Sequence, residues 1–177
     1  MPMFELLNTY DRDGNLIGAS TMDEILRDGL IYRAANIWLM NDKNQILLQK
    51  VGKAGHKNYG RWNTSVTGKL SAGDTPISGA RREMAEELGL DLPEADFIFL
   101  DTLFYERPSE ACAFADIWLV RIGDIPAENF VLAEGEVAEV KWYDLDQVKN
   151  WRESGIDIGS RTFDWRLKPL LKWLADS

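Results

Sequence analysis

The chain has 177 residues, of which 45% are hydrophobic, and it carries a net charge of −9 at pH 7. This length predicts a single domain with a sizeable core. The acidic charge argues against a general binder of nucleic-acid polymers or membrane surfaces, although bound metal ions would still permit a small anionic substrate. The single cysteine, the polar N-terminus and the lack of an apolar run of about 20 residues favour a cytoplasmic protein outside membranes.

The first part of the sequence alternates predicted strands and turns around a short helix. Two apolar runs flank Asp13-Gly14, a strong turn dipeptide, and predict a hairpin. A helix follows and ends near Gly29, so residues 1–30 are expected to extend the single domain of residues 1–177. The segment RAANIWLMNDKNQILLQK predicts two strands joined by a polar turn, and the basic loop VGKAGHKNYGRWN comes next.

Apolar and aromatic runs dominate the rest of the chain. DFIFLDTLFYE and ACAFADIWLVRI predict paired central strands, and EVAEVKWYDL predicts another strand before a helix in DQVKNWRESG. In the C-terminal segment, Pro169 is expected to kink a helix or delay its start. Its predicted apolar stripe consists of Trp165, Leu170, Trp173 and Leu174. Strands separated by helices predict an α/β fold in which a mixed sheet carries helices on both faces.

The stretch GKLSAGDTPISGARREMAEELGL, residues 68–90, predicts a helix with well-marked ends. Asp74 or Thr75 can cap its start, Pro76 suits its first turn, and Gly89 suits its exit. The apolar residues recur at helical spacing and predict a face that packs on the sheet. They are Ile77, Ala80, Met84 and Leu88.

The same helix carries three glutamates, Glu83, Glu86 and Glu87. Glu83 and Glu87 are surface neighbours one turn apart, and such like-charged pairs destabilise a helix by about 0.2–0.5 kcal/mol each. Converging carboxylate oxygens are the ligands that Mg²⁺ and Mn²⁺ prefer. On charge pattern alone, a solvated acidic face is the commoner explanation, so both interpretations stay open at this point.

The complete stretch resembles the signature of the Nudix hydrolase family, and this resemblance favours the metal site. One departure is that Asp74 stands where the family usually has glutamate. Weaker likeness in ILLQK, GRWNTSV and EVAEVKWYDL extends the resemblance over most of the chain. The signature positions are Gly68, Asp74, Arg82, Glu83, Met84, Glu86, Glu87, Gly89 and Leu90.

The resemblance implies a Nudix-type α/β/α sandwich with a mixed β-sheet. It also implies hydrolysis of a nucleoside diphosphate linked to another moiety, assisted by Mg²⁺ or Mn²⁺. By position, Glu86 and Glu87 are the expected metal ligands, and Glu83 is either a further ligand or the base that accepts a proton from water. The carbonyl of Thr67 is an additional expected ligand.

The resemblance further implies supporting residues around these carboxylates. Arg82 is expected to pair with Asp74 or Glu86 and to orient the acidic side chains. Family members often draw one more acid from outside the signature, and Glu136 has the expected spacing before Trp142. The alternative for that segment, which also holds Glu134 and Glu139, is a solvated loop and strand edge.

The basic loop provides candidate ligands for a phosphate group, although such loops are common. The candidates are Lys50, Lys53, His56, Lys57 and Arg61. Because His56 is the only histidine, a zinc cage or a histidine-based triad is implausible.

The chain also resembles isopentenyl diphosphate isomerase and its hydrolase relatives. The isomerase needs a cysteine where Thr67 stands and histidines where Tyr32 and Lys69 stand, while its acidic segment aligns with PSEACAF, which keeps Glu110 but has Pro108 in place of another acid. A hydrolase is therefore predicted, with an isomerase-like enzyme and a catalytically silent Nudix binding domain as alternatives. The expected partner is a small-molecule substrate whose identity does not follow from the sequence, and homodimers are frequent in the family.

Overall fold

The structure, a computed structural model, describes residues 5–106 and 111–177. Within these residues the strands are β1 (Leu6–Tyr10), β2 (Leu16–Thr21), β3 (Ile31–Met40), β4 (Gln45–Val51), β5 (Trp62–Asn63), β6 (Val66–Lys69), β7 (Phe97–Tyr105), β8 (Cys112–Arg121) and β9 (Val137–Asp144). The helices are α1 (Met22–Asp28), α2 (Pro76–Leu88), α3 (Leu145–Lys149) and α4 (Phe163–Asp176), with short 3-10 turns at Glu94–Asp96 and Ala127–Asn129.

The N-terminal hairpin and helix form as predicted. Strands β1 and β2 pair antiparallel on either side of a turn in which Gly14 has a φ of 84°, a value that favours glycine. Helix α1 begins at a capping box in which Thr21 and Glu24 bond each other's backbone, and it ends at Gly29 in the left-handed conformation. Because β1 also pairs with β3, this extension continues the main sheet.

Strand β3 lies at the centre of the sheet and sets its mixed character. It runs parallel to β8 along its whole length and antiparallel to β6, β4 and β1. Strand β7 pairs antiparallel with β8, as the two apolar runs predicted, while β9 and β5 pair with β4. The prediction of a mixed sheet is therefore confirmed.

Helices cover both faces of this sheet, which confirms the predicted α/β sandwich. Side chains alternate along β3, so that Ile37 and Leu39 pack under α2 while Trp38 and Met40 pack under α4. The predicted stripe of α2 is buried in the first of these two cores, with Ile77 at its edge. The fully buried members of that stripe are Ala80, Met84 and Leu88.

The C-terminal helix does not start late at Pro169, which was one of the two predicted alternatives, and its buried face differs from the predicted stripe. Helix α4 begins at Phe163 and continues through Pro169, whose absent N–H leaves the carbonyl of Trp165 without the usual helical donor. Trp165 is not part of a buried stripe, since it is 53% exposed and stacks on Tyr105. Arg166, which the sequence interpretation did not consider, lies on the buried face instead.

Helix α3 is shorter than predicted and ends at Lys149, after which the chain forms turns. In the part of the chain that the structure describes, no helix is both long and apolar enough to cross a membrane.

Candidate functional site

Helix α2 places the three predicted glutamates beside the end of β6. Thr75 caps the helix by accepting from the N–H of Ser78, and Gly89 ends it in the left-handed conformation, as predicted. Asp74, the alternative cap, instead accepts hydrogen bonds from the N–H of Ser71 and from Arg82. The loop before the helix is thereby tied to the helix itself.

A close approach between β6 and α2 depends on Gly68. A Cβ atom at this position would lie 1.8 Å from Cδ of Glu83 and 2.0 Å from its Oε2. Only glycine leaves room for the Glu83 carboxylate to lie over the strand backbone. This steric requirement gives the first residue of the signature a physical role.

Glu87 is buried at the same place, with only 7% of its surface exposed. Its Oε2 accepts hydrogen bonds from Nε2 of Gln49 at 3.0 Å and from the N–H of Thr67 at 3.2 Å. Burial, assisted by the charge of Glu83, raises the pKa of Glu87 to about 8. Burial also raises the pKa of Glu83, against the effect of Arg82. Two adjacent buried carboxylates favour the uptake of a proton or a cation.

Arg82 binds the acidic residues together, which confirms its predicted pairing. Its guanidinium donates to Asp74 at 2.8 Å and to both Glu83 and Glu86 at 2.9 Å, and it also donates to the carbonyl of Lys69. Within residues 5–106 and 111–177, no three His, Cys, Asp or Glu side chains are already grouped as metal ligands. Arg82, lying between Glu83 and Glu86, accounts for their present arrangement.

The residues at this position nevertheless fit a hard divalent cation. The candidate ligand atoms are carboxylate and carbonyl oxygens, which Mg²⁺ and Mn²⁺ prefer. Gly68 leaves space in which the Glu83 carboxylate lies against the strand. The raised pKa of Glu87 indicates that its buried negative charge is not fully compensated by nearby donors.

The glutamates open onto a cavity of about 580 Å³. All the predicted site residues contribute to its wall, although they come from separate parts of the chain. They are Thr67, Arg82, Glu83, Glu86, Glu87 and Glu136. Glu136 lies just before β9, where its carbonyl accepts from the N–H of Gly52 and so joins the basic loop to this strand.

The basic loop contributes only part of its predicted cationic set to the cavity wall. Lys53 and His56 line the cavity, whereas Lys50 and Arg61 form ion pairs with Glu139 and Asp157. Lys53 also forms an ion pair with Glu136 at 3.7 Å, so Lys50, Lys53 and Arg61 all have carboxylate partners, and only Lys53 of these three lines the cavity.

His56 is held in one tautomer by the loop backbone. Its Nδ1 accepts from the N–H of Asn58 at 3.1 Å, which leaves Nε2 as the protonated donor of the neutral ring. Partial loss of solvation, together with the charges of Lys57 and Lys53, lowers the pKa of His56. The ring is therefore a neutral N–H donor at physiological pH.

Several polar residues of the cavity wall were missed by the sequence interpretation. Asn36, Gln49, Asn63 and Arg166 all line the cavity and are almost fully buried. A signal existed for Arg166, because it lies between Phe163 and Leu170 on the apolar face of its helix. No local pattern distinguishes the two asparagines and the glutamine from ordinary strand residues.

Comparison with known proteins identifies the family. The sequence profile of the NUDIX domain matches residues 31–164, which include the whole glutamate-bearing helix. The chain belongs to the NUDIX domain family. The Nudix signature predicted from residues 68–90 lies within this matched region, together with β3, β8 and most of the cavity wall.

Two curated relatives cover most of this Nudix chain. Nudix hydrolase 3 of Arabidopsis thaliana is 33% identical over 155 residues, which are 83% of this chain but 20% of the relative. This chain therefore spans about a fifth of that protein's length. Isopentenyl-diphosphate Delta-isomerase 2 of Photorhabdus laumondii is 29% identical over 159 residues, covering 88% of this chain and 86% of the relative.

A solved structure supports the fold. The crystal structure of DR0079 from Deinococcus radiodurans superposes with a TM-score of 0.72 and covers 93% of this chain and 98% of its own. Its sequence identity of 15% means that this likeness shows the Nudix fold alone.

Proposed function

We propose that this Nudix protein is a metal-dependent pyrophosphohydrolase that cleaves the diphosphate of a nucleoside diphosphate linked to another moiety. The observation that carries the proposal is the pair of buried carboxylates, Glu83 and Glu87, held beside Gly68 at the wall of a polar cavity. Membership of the Nudix family supports hydrolysis of an acid anhydride.

The protein side of the reaction falls to a small group of residues. Glu83, Glu86 and Glu87 would hold Mg²⁺ or Mn²⁺, with the carbonyl of Thr67 and the carboxylate of Glu136 as further ligands. A bound divalent cation would neutralise phosphate charge and make water a better nucleophile. Gln49 and the N–H of Thr67 orient the Glu87 carboxylate, which keeps it directed at the cavity.

Proton transfer and charge stabilisation use the same cavity wall. Glu83 is the candidate base that would accept a proton from the attacking water, because its carboxylate lies at the cavity wall over Gly68. Lys53, Lys69 and the Nε2–H of His56 line the cavity and would donate to phosphate oxygens. Arg82 positions the acids, since it bonds Glu83 and Glu86 at once.

Similarity to an isomerase makes isomerisation of isopentenyl diphosphate the second candidate. Tyr32, Thr67 and Lys69, which stand at the expected cysteine and histidine positions, all line this cavity. An isomerase must protonate one carbon and deprotonate another, and the hydroxyl of Thr67 is too weak an acid to replace a thiol. Pro108 and Glu110 lie outside the described residues. The side chains that line the cavity therefore support hydrolysis better than isomerisation.

A panel of nucleoside diphosphate derivatives, incubated with Mg²⁺ or Mn²⁺ and a coupled phosphatase, tests the proposal. We expect metal-dependent phosphate release that is abolished when both Glu86 and Glu87 are replaced by Gln. Glu128→Gln, at an exposed position that does not line the cavity, is the matched control and should keep full activity. Circular dichroism would verify that the double variant remains folded.

Two outcomes would contradict the proposed function. One is full activity in the double variant, which would remove the glutamates from the reaction. The other is the formation of dimethylallyl diphosphate from isopentenyl diphosphate at a catalytic rate, which would change the reaction class. A protein that binds metal but cleaves nothing in the panel would favour the alternative of a silent binding domain.

A further inference from the structure

Two buried asparagine amides in the cavity wall have a fixed orientation. Arg166 donates from Nη1 to Oδ1 of Asn36 at 2.6 Å and from Nη2 to Oδ1 of Asn63 at 2.9 Å. A guanidinium can only donate, so both amide oxygens must face it. The same oxygens also accept from Oγ1 of Thr67 at 3.3 Å and from the N–H of Thr64 at 2.9 Å. Two independent donors thus determine which way each amide points.

This orientation leaves the amide nitrogens as donors on the cavity side. Asn36 and Asn63 are only 4% and 6% exposed, and both line the cavity. Among the residues that the structure describes, neither Nδ2 group has a hydrogen-bond acceptor. Donors that line the cavity without an acceptor in its wall are suited to an acceptor that enters the cavity.

The two donors flank the proposed reaction centre. Asn36 is paired across the sheet with Thr67, whose N–H binds Glu87. Asn63 is paired with Gln49, whose side-chain amide binds the same carboxylate. A group held by the asparagines would therefore lie immediately beside Glu87.

The neighbouring wall is polar and has small apolar residues. Asn58 is 9% exposed and packs against Gly159. A Cβ added at position 159 would lie only 2.7 Å from the Cβ of Asn58. Ser160 and Thr162 add hydroxyl groups to this wall. The aliphatic lining consists of small or medium side chains, namely Ala34, Val51, Ala113 and Ala115, and the aromatic lining consists of Tyr32 and Tyr105, each of which carries a hydroxyl group. The polar side chains of this wall outnumber the apolar ones, so a group rich in oxygen would find more partners here than a prenyl chain would.

We propose that Asn36 and Asn63 form a specificity subsite for a hydroxyl-bearing group, of the sugar type, attached to the diphosphate. This inference rests on the proposed function, because it assigns the part of the substrate that lies next to the glutamates. The two Nδ2 groups donate to oxygens of the linked group, and Asn58 offers both a donor and an acceptor to a neighbouring hydroxyl. Arg166 is a positioning residue that fixes the amides.

The first experiment measures binding without turnover. ADP-ribose and methylene diphosphonate are titrated calorimetrically into the protein in EDTA, because the second probe carries a diphosphonate but no linked group. Asn36→Asp and Asn63→Asp keep the oxygen that faces Arg166 and remove the amide donors. We expect each change to raise the dissociation constant of ADP-ribose by about tenfold more than it raises that of methylene diphosphonate. Each variant adds a negative charge that repels both probes, so the ratio of their two affinities is free of this effect.

Asn129→Asp, at an exposed position outside the cavity, is the matched control for these substitutions and should change neither dissociation constant. Equal weakening of both probes by the cavity variants would overturn the inference, because the amides would then not distinguish the linked group. Thermal unfolding of each variant shows that it is folded before it is titrated.

The second experiment compares substrates with Mg²⁺ present. We expect kcat/KM for ADP-ribose or UDP-glucose to exceed that for isopentenyl and geranyl diphosphate by about 100-fold or more, since a site built to bond hydroxyls rejects ligands that lack them. Preferential cleavage of the prenyl diphosphates would overturn the subsite while leaving the pyrophosphohydrolase intact. If no diphosphate is cleaved but ADP-ribose binding still depends on both asparagines, the subsite stands and the proposed function fails.

Discussion

Replacing Gly68 with alanine tests whether the placement of one carboxylate controls the site. The new Cβ would lie 1.8 Å from Cδ of Glu83 and 2.0 and 2.3 Å from its two oxygens. Ordinary contact begins near 3.4 Å, so the carboxylate must move by roughly 1.5 Å. Such a movement breaks the 2.9 Å bond from Arg82 to Glu83 and separates Glu83 from its position near Glu87.

The expected consequence is large for function and small for stability. A displacement of about 1 Å in a positioned group can lower a rate by about 100-fold, and we expect a loss of this size in kcat. The affinity for Mn²⁺ should fall by about 10- to 100-fold because the Glu83 carboxylate is displaced. Since a glutamate side chain can rotate away, the free energy of unfolding should fall by only about 1–2 kcal/mol.

Calorimetric titration with Mn²⁺, turnover of the best diphosphate substrate and urea denaturation measure these three quantities. Gly18→Ala is the matched control, because its Cβ would meet Oγ1 of Thr9 at an ordinary 3.6 Å. Wild-type metal affinity and turnover in Gly68→Ala would refute the argument that Glu83 must lie over the strand.

Three further predictions concern charges around the site and the core. Asp74→Asn should weaken Mn²⁺ binding by about 10- to 100-fold in calorimetry, because Arg82 loses the carboxylate that it pairs with, while Asp74→Glu should be tolerated. Asp116→Asn should lower the free energy of unfolding, measured by urea denaturation, by about 1–3 kcal/mol, since the half-buried guanidinium of Arg33 loses its carboxylate partner. The pKa of Glu87 is 4.5 in an ordinary environment and about 8 in the folded protein, so in EDTA the folded protein should hold a proton that the unfolded chain has lost between these two pH values. The free energy of unfolding should therefore fall as the pH rises through this window. Glu87→Gln should flatten that slope, and an unchanged slope would show that another group causes it.

The sequence by itself determined the elements whose signals are local. Helix α2 spans Pro76–Leu88 between the cap residues Thr75 and Gly89, because capping and left-handed glycine depend on residues within one turn. The hairpin at Gly14 and the paired apolar strands follow from turn chemistry and side-chain period in the same way. The spacing of the signature also predicted the acidic face of the site, because its members lie in one continuous segment that runs from the end of β6 through α2.

Only the tertiary structure decided the opposite wall of the cavity. Asn36 and Arg166 are 130 positions apart, and their hydrogen bond exists because β3 passes under α4. The same packing exposes Trp165 and buries an arginine, the reverse of what their polarities favour. Local pattern also could not decide which cations of the basic loop face the cavity, since Lys50 turns to a carboxylate on β9. Burial and orientation at these positions depend on which distant strand or helix becomes the neighbour, and the periodicity of a single segment carries no information about that neighbour.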